Sequence, residues 1–447
     1  MPIIDVTRFS PQPRESWLSG RHVLLGIVLL TLSGCRAAPP GEVTPTVSQA
    51  GAAVTATRPS SPSPTAPEPS ATSTGPIGPG YLPGFSPLTG LPVQDAASLQ
   101  EAPLLISITN FPVSARPQSG LSLASNVWEV SIGQGMSRFL AVYYGDYLTQ
   151  LKDILQDHPT ENAYGYVIAP IRSGRVVYEG IKDFFPDAVM VTRGASREVR
   201  PLLTGRIGVY AANREDVNSA GLTLEELEAL PRIPIDPAEH AALVFDPAVP
   251  PGGVSGVTLR LVYNRYDIAE WAYDAASGRY LRSQDQADDT GILVPATDRL
   301  TGQQLAFDNI LVLFTRHNFV NPEGTIMEID LQNQRDAEGL LFRDGRRYVI
   351  AWSTPGGRLE LRDPLGQLFP LRPGQTFFEV VGLESSWDQV AGIVRFHNPP
   401  IPTRTPAPTA TRTRTPSPTE TPEPADTPEP TAEPPTEPPP EPTTEGG

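Results

Sequence analysis

The stretch V-W-E-V-S-I-G-Q-G-M-S-R-F-L-A-V-Y, residues 127–143, contains two apolar runs on either side of Gly133-Gln134-Gly135. Short runs rich in valine, isoleucine and aromatic side chains are typical of β-strands, and a glycine-containing segment between two of them indicates a tight connection. The stretch therefore predicts two neighbouring strands. Each carries a charged residue among apolar ones, Glu129 in the first strand and Arg138 in the second.

Strands and helices alternate along the sequence around this pair. The run L-L-I-S-I-T-N at 104–110 predicts a buried strand, and 188–192 predicts another. Between them, residues 146–165 have leucine and isoleucine side chains at helical spacing. This alternation predicts an α/β or α+β domain over residues 81–235.

Two helix starts within this domain are predicted from their capping residues. Ser173, which follows Ile171-Arg172, is a candidate N-cap for a helix that begins at about Val176. Thr223 and Glu226 have the spacing of a capping box, in which each side chain bonds the backbone N–H of the other residue.

The pattern changes after residue 235. Short runs of alternating apolar and polar residues follow one another, as in 257–263 and in the pair of runs joined through Ala275 to Gly278. Asp344-Gly345 has the composition of a hairpin turn. Residues 236–398 are therefore predicted to form a mainly antiparallel β domain.

Proline is concentrated at the two ends of the chain. Of the 52 prolines in 447 residues, 10 fall within residues 36–80 and 17 within residues 399–447. Both segments lack the large apolar side chains that would offset the entropy of ordering a chain. We expect a disordered tether at 36–80 and a disordered acidic tail at 399–447.

The only cysteine, Cys35, follows an apolar run from Val23 to Leu32 that basic residues precede. A charged segment, a short apolar segment and small residues before a cysteine are typical of a lipoprotein signal peptide. Leu32-Ser33-Gly34-Cys35 resembles the lipobox of bacterial lipoproteins. Residues 1–35 are accordingly predicted to be a signal peptide, with Cys35 lipidated and the protein anchored at the outer face of the bacterial cytoplasmic membrane.

Charge and motif content exclude several classes of function. The net charge of −16 disfavours nucleic acid as a partner, because affinity for a phosphate backbone rests on Lys and Arg. The five histidines show no metal-binding spacing, and no P-loop, dinucleotide fingerprint or nucleophile elbow is present. We expect no cofactor and no metal, and the sequence does not favour an enzyme.

Several runs together resemble the YerB-like family of bacterial lipoproteins, which has an N-terminal and a C-terminal domain of unknown function. The resemblance implies location and a two-domain plan, without a reaction. This sequence has Thr109-Asn110-Phe111 where the family has Asp-Asn-His, and it departs from a Pro-His-Asn run near Ala211-Ala212-Asn213. The runs are P-L-T-G-L-P (87–92), A-R-P-Q-S-G-L (115–121), V-W-E (127–129), G-M-S-R-F-L-A-V (135–142), I-A-P-I-R-S-G-R (168–175), Y-D-A-A-S-G-R-Y-L-R (273–282) and P-G-Q-T-F (373–377).

Polar residues within the apolar runs of the first domain are the candidate ligand-binding site. Arginine side chains bind carboxylates and phosphates through paired, charge-assisted hydrogen bonds, so we expect an anionic ligand, either a small molecule or an envelope polymer. In the structural alternative, Arg138 or Arg172 pairs with Glu129 to fix strand register. The candidates are Asn110, Arg116, Ser119, Glu129, Arg138, Arg172, Ser173 and Arg175.

Two other functions remain open from the sequence. An envelope hydrolase or transferase would draw its acid, base or nucleophile from Glu129, Ser119 and Asn110. A protein-interaction scaffold would use its outer surface and would not gather the arginines in one site. In the second domain, Asp298, Gln304 and Asn309 are candidates for a polar groove, with turn formation as the alternative.

Overall fold

The computed structural model of the protein describes residues 75–158, 164–216 and 218–403. The predicted signal peptide, Cys35, most of the tether and most of the acidic tail lie outside the described residues. In the described part no helix is long and apolar enough to cross a membrane.

Most of the regular structure is β. The strands are β1 (Leu104–Thr109), β2 (Asn126–Ser131), β3 (Ser137–Tyr143), β4 (Val189–Thr192), β5 (Arg206–Gly208), β6 (Val254–Ser255), β7 (Thr258–Asn264), β8 (Asp267–Asp274), β9 (Arg279–Asp285), β10 (Leu293–Pro295), β11 (Ala306–Phe307), β12 (Asn309–Thr315), β13 (His317–Phe319), β14 (Met327–Ile329), β15 (Ala337–Arg343), β16 (Arg346–Ser353), β17 (Glu360–Arg362), β18 (Thr376–Gly382), β19 (Ser386–Asp388) and β20 (Ile393–Arg395).

Among the residues that the structure describes, three short α-helices accompany the strands: α1 (Tyr147–Asp157), α2 (Val177–Lys182) and α3 (Leu224–Glu228). The capping box predicted for α3 is confirmed, because the Thr223 side chain accepts from the N–H of Glu226 and the Glu226 side chain accepts from the N–H of Thr223.

The N-cap predicted at Ser173 is wrong. Helix α2 has Val176 at its N-cap position, with no side-chain capping bond. Ile171 forms a β-bridge with Ile108, and the N–H of Gly174 donates to the carbonyl of Gly194 at 2.9 Å. These bonds hold Ser173 in the connection that precedes the helix.

A large sheet of 11 strands contains strands from both halves of the chain. Its order is β17-β16-β15-β12-β18-β2-β3-β1-β4-β5, and β6 pairs with β16. At its centre β18 lies parallel to β2, with Thr376 opposite Asn126 and Val380 opposite Val130. The hydrogen bonds between β18 and β2 thus join residues on either side of the domain boundary predicted between residues 235 and 236.

A second, 7-stranded sheet lies against one face of the large sheet. Its order is β10-β9-β8-β7-β20-β19, and β11 pairs with β9. We call it the small sheet. Its neighbours are antiparallel except β20 and β7, which are parallel. A separate hairpin consists of β13 and β14.

Side chains of the large sheet alternate between two apolar cores. Val127 and Phe377 point toward the small sheet and pack in one core with Trp271 and Phe307. The intervening Trp128 and Phe378 stack on each other on the opposite face, with ring centroids 3.9 Å apart. The protein is therefore mostly β-sheet, with few helices and several sheets.

His240 provides a test of this packing, because it is 3% exposed between aromatic rings. Burial, assisted by Arg358, lowers the pKa of His240 from 6.5 to about 4. Between these values the unfolded chain binds a proton that the folded protein does not, so stability falls as the pH falls. Between pH 6.5 and pH 4, the free energy of unfolding of His240→Leu is expected to fall by roughly 3 kcal/mol less than that of the wild type. Urea unfolding at the two pH values measures this difference.

The control is His397→Gln at an exposed histidine, which should follow the wild-type curve. Equal pH dependence in His240→Leu and wild type would contradict a buried, neutral His240.

Candidate functional site

Two glutamates lie side by side at the centre of the large sheet. Glu129 on β2 is directly opposite Glu379 on the parallel strand β18. From the small sheet, Arg282 on β9 donates through Nη2 to Glu129 Oε2 at 2.6 Å and through Nη1 to Glu379 Oε1 at 3.1 Å. The three side chains are at most 1% exposed. One guanidinium thus binds two carboxylates that would otherwise repel each other.

Aromatic residues surround the Glu379 side of this cluster. Trp271 Nε1 donates to Glu379 Oε1 at 2.8 Å, and Tyr263 Oη donates to Glu379 Oε2 at 3.2 Å. The Arg282 guanidinium lies 5.1 Å from the ring centroid of Trp271 and 4.9 Å from that of Phe377. The cation is therefore held by ring faces as well as by carboxylates.

Asn110 and Arg116, two of the predicted site residues, belong to the Glu129 side. Ser137 Oγ donates to Glu129 Oε1 at 2.5 Å, and Asn110 Nδ2 donates to Ser137 Oγ at 2.9 Å. Arg116 Nε donates to Asn110 Oδ1 at 3.1 Å, and Arg116 Nη1 donates to the carbonyl of Asp285 at 2.6 Å. The structure brings Asn110, Arg116 and Glu129 together, in a cluster completed by the small sheet.

Burial raises the pKa of two acids here, Glu379 and Asp267, and Arg282 opposes that effect. Burial, and then Glu129, raises the pKa of Glu379 to about 8, against the opposing effect of Arg282. The same two causes raise the pKa of the neighbouring Asp267 well above its ordinary value. Burial lowers the pKa of Arg282, but Glu129 and Glu379 outweigh it and the net pKa is raised. The cluster, sealed from solvent and fully bonded on its carboxylates, joins the sheets rather than presenting a reactive acid.

Arg138 lies on the opposite face of the large sheet from Glu129. On β3 it pairs with Val130, the residue after Glu129, and neighbouring residues of a strand point to opposite faces. Arg138 Nη1 donates to the carbonyl of Ser173 at 3.1 Å. The predicted ion pair between Glu129 and Arg138 or Arg172 is therefore absent, since Glu129 pairs with Arg282.

Arg138 has two further arginines nearby, Arg172 and Arg175, and we call the three the arginine cluster. Burial lowers the pKa of Arg138 to about 10, and Arg175 and Arg172 add to that effect while Tyr178 opposes it. Burial, and then Arg193, lowers the pKa of Arg172. Within the described residues none of the three cluster arginines forms a salt bridge.

The arginine cluster lies beside the carboxyl ends of two parallel strands, β1 and β4, since Arg138 is opposite Thr109, the last residue of β1. Arg172 is held there because its N–H donates to the carbonyl of Ser107 at 2.9 Å and its carbonyl accepts from the N–H of Arg193 at 2.8 Å. Its side chain donates through Nη2 to Asn218 Oδ1 at 3.2 Å. The Nε atoms of Arg138, Arg172 and Arg175 are buried without a hydrogen-bond partner in the part of the chain that the structure describes.

Ser119 stands apart from both groups. Its Oγ donates to the carbonyl of Val167 at 3.0 Å, and its N–H donates to the carbonyl of Ala169 at 2.8 Å. The bonds of Ser119 therefore tie it to the segment 167–169, whereas those of Asn110 and Glu129 tie these two residues to Ser137. No observation here favours the hydrolase or transferase alternative.

The three polar candidates of the second half have separate structural roles. Asp298 accepts from the N–H groups of Gly120 and Ser122, at 2.8 and 2.7 Å. Gln304 Nε2 donates to the carbonyl of Arg282 at 2.7 Å, and Asn309 Nδ2 donates to that of Arg372 at 2.9 Å. These contacts with the backbone agree with the structural alternative, in which the three residues shape turns and strands and do not line a polar groove.

Sequence reasoning missed Arg282 and Glu379 as members of the central cluster. Glu379 stands alone in an apolar strand, after Phe377-Phe378, whereas Arg282 lies in a strand with several polar residues, Arg279–Asp285. A lone charge in a buried strand requires an opposite partner, and that requirement was the available signal. No group of three or more His, Cys, Asp and Glu side chains suited to a metal ion occurs among the described residues.

Two packed sheets, one of them built from both halves of the chain, define a β-rich protein. Two family models match it: "Protein of unknown function (DUF3048) N-terminal domain" at residues 88–225 and the corresponding C-terminal domain at residues 257–378. Together they span more than half of the sequence. The chain belongs to this family, which confirms the resemblance found in the sequence.

A curated relative and a solved structure agree with this assignment. The chain is 26% identical over 316 residues to "Putative lipoprotein YerB" of Bacillus subtilis (strain 168), covering 66% of this chain and 86% of the relative. It is also similar to the crystal structure of the YerB protein from Bacillus subtilis, with 24% identity, a TM-score of 0.50 and coverage of 66% of this chain and 96% of that one. The similarity to this crystal structure shows a similar fold and nothing further.

Removing Arg282 should destabilise the protein far more than removing an exposed arginine in a similar ion pair. Arg282→Met leaves two buried carboxylates without their cation, and we expect a loss of about 3–5 kcal/mol in the free energy of unfolding. Arg260→Met, at a pair of the same 2.6 Å length but with 41% and 25% exposed side chains, should lose less than about 1 kcal/mol. Chemical denaturation measures both.

Neutralising the two acids separates charge from packing. Arg282→Met combined with Glu129→Gln and Glu379→Gln should recover part of the loss, because no unpaired charge then remains buried. Equal losses in Arg282→Met and Arg260→Met would contradict the central role of the buried cluster.

Proposed function

We propose that this protein is a lipid-anchored envelope protein that binds an anionic ligand through the arginine cluster Arg138, Arg172 and Arg175. The observation that carries the proposal is the electrostatic state of Arg138. Its side chain is buried, two further arginines lower its pKa, and none of the three forms a salt bridge among the described residues.

An uncompensated buried cation is unfavourable, and other proteins remove that cost by binding an anion. Guanidinium groups suit carboxylates and phosphates because several N–H groups bond two oxygens at once. The contrast with Arg282 supports this assignment, because Arg282 is equally buried but binds two glutamates of its own chain. The burial of Arg282 is explained by its role in stabilising the fold, whereas the burial of Arg138 has no such explanation.

The position of the cluster also supports a binding role. In sheets with parallel strands, ligands bind at the carboxyl ends of the strands, and Arg172 lies beside those ends of β1 and β4. Arg175 lines a cavity of about 400 Å³, a volume suited to a small ligand. Glu198 and Glu323 also line this cavity, which favours a ligand that carries hydroxyl or amino groups beside its anionic group over a bare polyanion.

The membrane anchor is the second part of the proposal. The name of the Bacillus subtilis relative includes the word lipoprotein, and Cys35 of this chain follows the pattern of a lipobox. Lipidation of Cys35 would place the described residues at the outer face of the cytoplasmic membrane, joined to it by the tether 36–80. An envelope component with a phosphate or carboxylate group is then the available ligand.

Inorganic phosphate and a hexose phosphate test the arginine cluster. Either anion should raise the melting temperature of the wild-type protein, because a ligand that binds only the folded state stabilises it. The shift should be lost in Arg172→Gln and Arg175→Gln and retained in Arg346→Gln, whose arginine is exposed and donates to the single carbonyl of Gly252. Differential scanning fluorimetry measures the shifts.

Arg138→Met distinguishes a ligand-binding arginine from a structural one. Without added anion, this variant should unfold at the same temperature as the wild type or a higher one, since it removes a buried charge that lacks a counter-charge. A loss of stability as large as that of Arg282→Met, together with no response of the wild type to either anion, would refute the proposed binding site.

Labelling with a radioactive fatty acid tests the anchor. Cells that produce the wild-type protein should incorporate the label into it, and cells that produce Cys35→Ser should not, because the thiol is the group that accepts the lipid. Label that is absent from the wild type or unchanged in Cys35→Ser would exclude lipidation at Cys35.

A further inference from the structure

A second cavity, of about 370 Å³, lies between the two halves of the chain. Its walls come from the segment 86–93, the segment 122–125, helix α1 and three residues of the C-terminal half, Arg279, Asp308 and Gln375. We infer that this cavity binds an uncharged polyhydroxyl ligand of the size of one or two sugar rings. This inference is independent of the anion site proposed above.

Two of the sequence runs that mark the family build the cavity together. Gly374 and Gln375 belong to P-G-Q-T-F, and Thr89 belongs to P-L-T-G-L-P. The N–H of Gly374 donates to the carbonyl of Thr89 at 2.7 Å. Gln375 Nε2 donates to the carbonyls of Ser122 and Ala124, at 2.7 and 2.8 Å. The walls are therefore fixed by backbone contacts before any ligand arrives.

The charged groups of the cavity are engaged with one another. Asp308 accepts from the N–H of Gln375 at 2.9 Å and lies 3.6 Å from Arg279 Nε. Arg279 Nη2 donates to the carbonyl of Ala306 and to Gln375 Oε1, at 2.5 and 2.6 Å. Asp308 and Arg279 thus balance each other's charge at this wall.

Asp146, on another wall, is engaged as well. Its carboxylate accepts from the N–H groups of Gln94 and Asp95 and from Ser98 Oγ. Asp146 repels an anion, and its three donors leave its carboxylate little capacity for a further donor, so the cavity favours an uncharged ligand.

Hydroxyl groups supply the hydrogen-bonding capacity that remains. Ser86 and Thr89 are 4% and 8% exposed, and each hydroxyl oxygen accepts only from a backbone N–H at 3.3 Å. Neither hydroxyl donates to an acceptor in the described part of the chain, and Ser122 Oγ is buried with no partner there. Buried hydroxyl groups normally have a hydrogen-bond partner, and a ligand with several acceptor oxygens provides one for each of these three.

The remaining lining suits the rest of a sugar ring. Leu91, which is 42% exposed, and Leu123 offer apolar surface for the C–H face of such a ring. Gln150 is exposed on α1 and adds an amide that both donates and accepts. A small set of placed polar groups within partly apolar walls is the usual composition of a small-molecule site.

Ligand-observed saturation-transfer NMR tests this inference on the full-length protein, in a detergent without a sugar headgroup. The probes are N-acetylglucosamine and glucose, with inorganic phosphate as the charged comparison. We expect the sugars to bind with a Kd on the order of 1 mM. Thr89→Val and Ser122→Ala should each weaken binding roughly three- to tenfold, because each removes one hydrogen-bonding group.

Thr301→Val is the matched control. The Thr301 hydroxyl accepts from the N–H of Gln303 at 3.3 Å, the same bond that Thr89 forms with Leu91, but Thr301 does not line the cavity. Gln150→Ala, at an exposed helix position, tests the cavity without disturbing its buried walls.

Loss of sugar binding in Thr89→Val, Ser122→Ala or Gln150→Ala with retention in Thr301→Val supports the inference. Absence of sugar binding to the wild type, or equal loss in Thr301→Val, overturns it. Phosphate binding that these variants abolish would also overturn it, by showing a charged ligand here. Phosphate binding that responds only to Arg172→Gln and Arg175→Gln would concern the anion site alone.

Discussion

The contact of Arg282 with Glu129 and Glu379 connects the two large elements of this fold, the large sheet and the small sheet, and both halves of the chain. Two carboxylates stand directly opposite each other on parallel strands, an arrangement that repels in a low-dielectric interior. The guanidinium from the small sheet binds both carboxylates and offsets their repulsion, so the pairing of β18 with β2 at this register is favoured when the small sheet lies against them. The joint between the halves of the chain and the stacking of the sheets therefore depend on each other.

Arginines that stabilise this fold differ in their partners from those that do not. Arg282 and Arg138 are both buried, on opposite faces of the large sheet. Arg282 has carboxylate partners from two strands, whereas Arg138 has a single carbonyl partner and two arginine neighbours. Because an isolated buried charge is unfavourable and a compensated one is tolerated, the difference in partners points to different roles.

Local patterns predicted much of the secondary structure and little of its assembly. The strand pair around Gly133-Gln134-Gly135 and the capping box at Thr223 depend on neighbouring residues, and both occur. Ser173 failed as a cap because Ile171 pairs with Ile108, a contact between distant residues. The pairing of β2 with β18 joins residues about 250 positions apart, and no local periodicity encodes it. For the same reason Arg138, Arg172 and Arg175 could be selected from their residue type, whereas Arg282, the partner of Glu129, could not be identified from the sequence.

The cavity between the halves follows from the same joint. Gly374 shows how tightly its wall is built, because a Cβ at that position would lie 2.1 Å from the Asp308 carboxylate. The glycine allows the backbone to approach Asp308, and the next N–H, that of Gln375, binds the carboxylate. Since the walls come from both halves, a ligand in this cavity would contact both and would stabilise the joint by mass action. Ligand binding in the cavity and the pairing of β18 with β2 are thus thermodynamically linked. The contact of Arg282 with Glu129 and Glu379 stabilises that pairing only while the two sheets stay packed together.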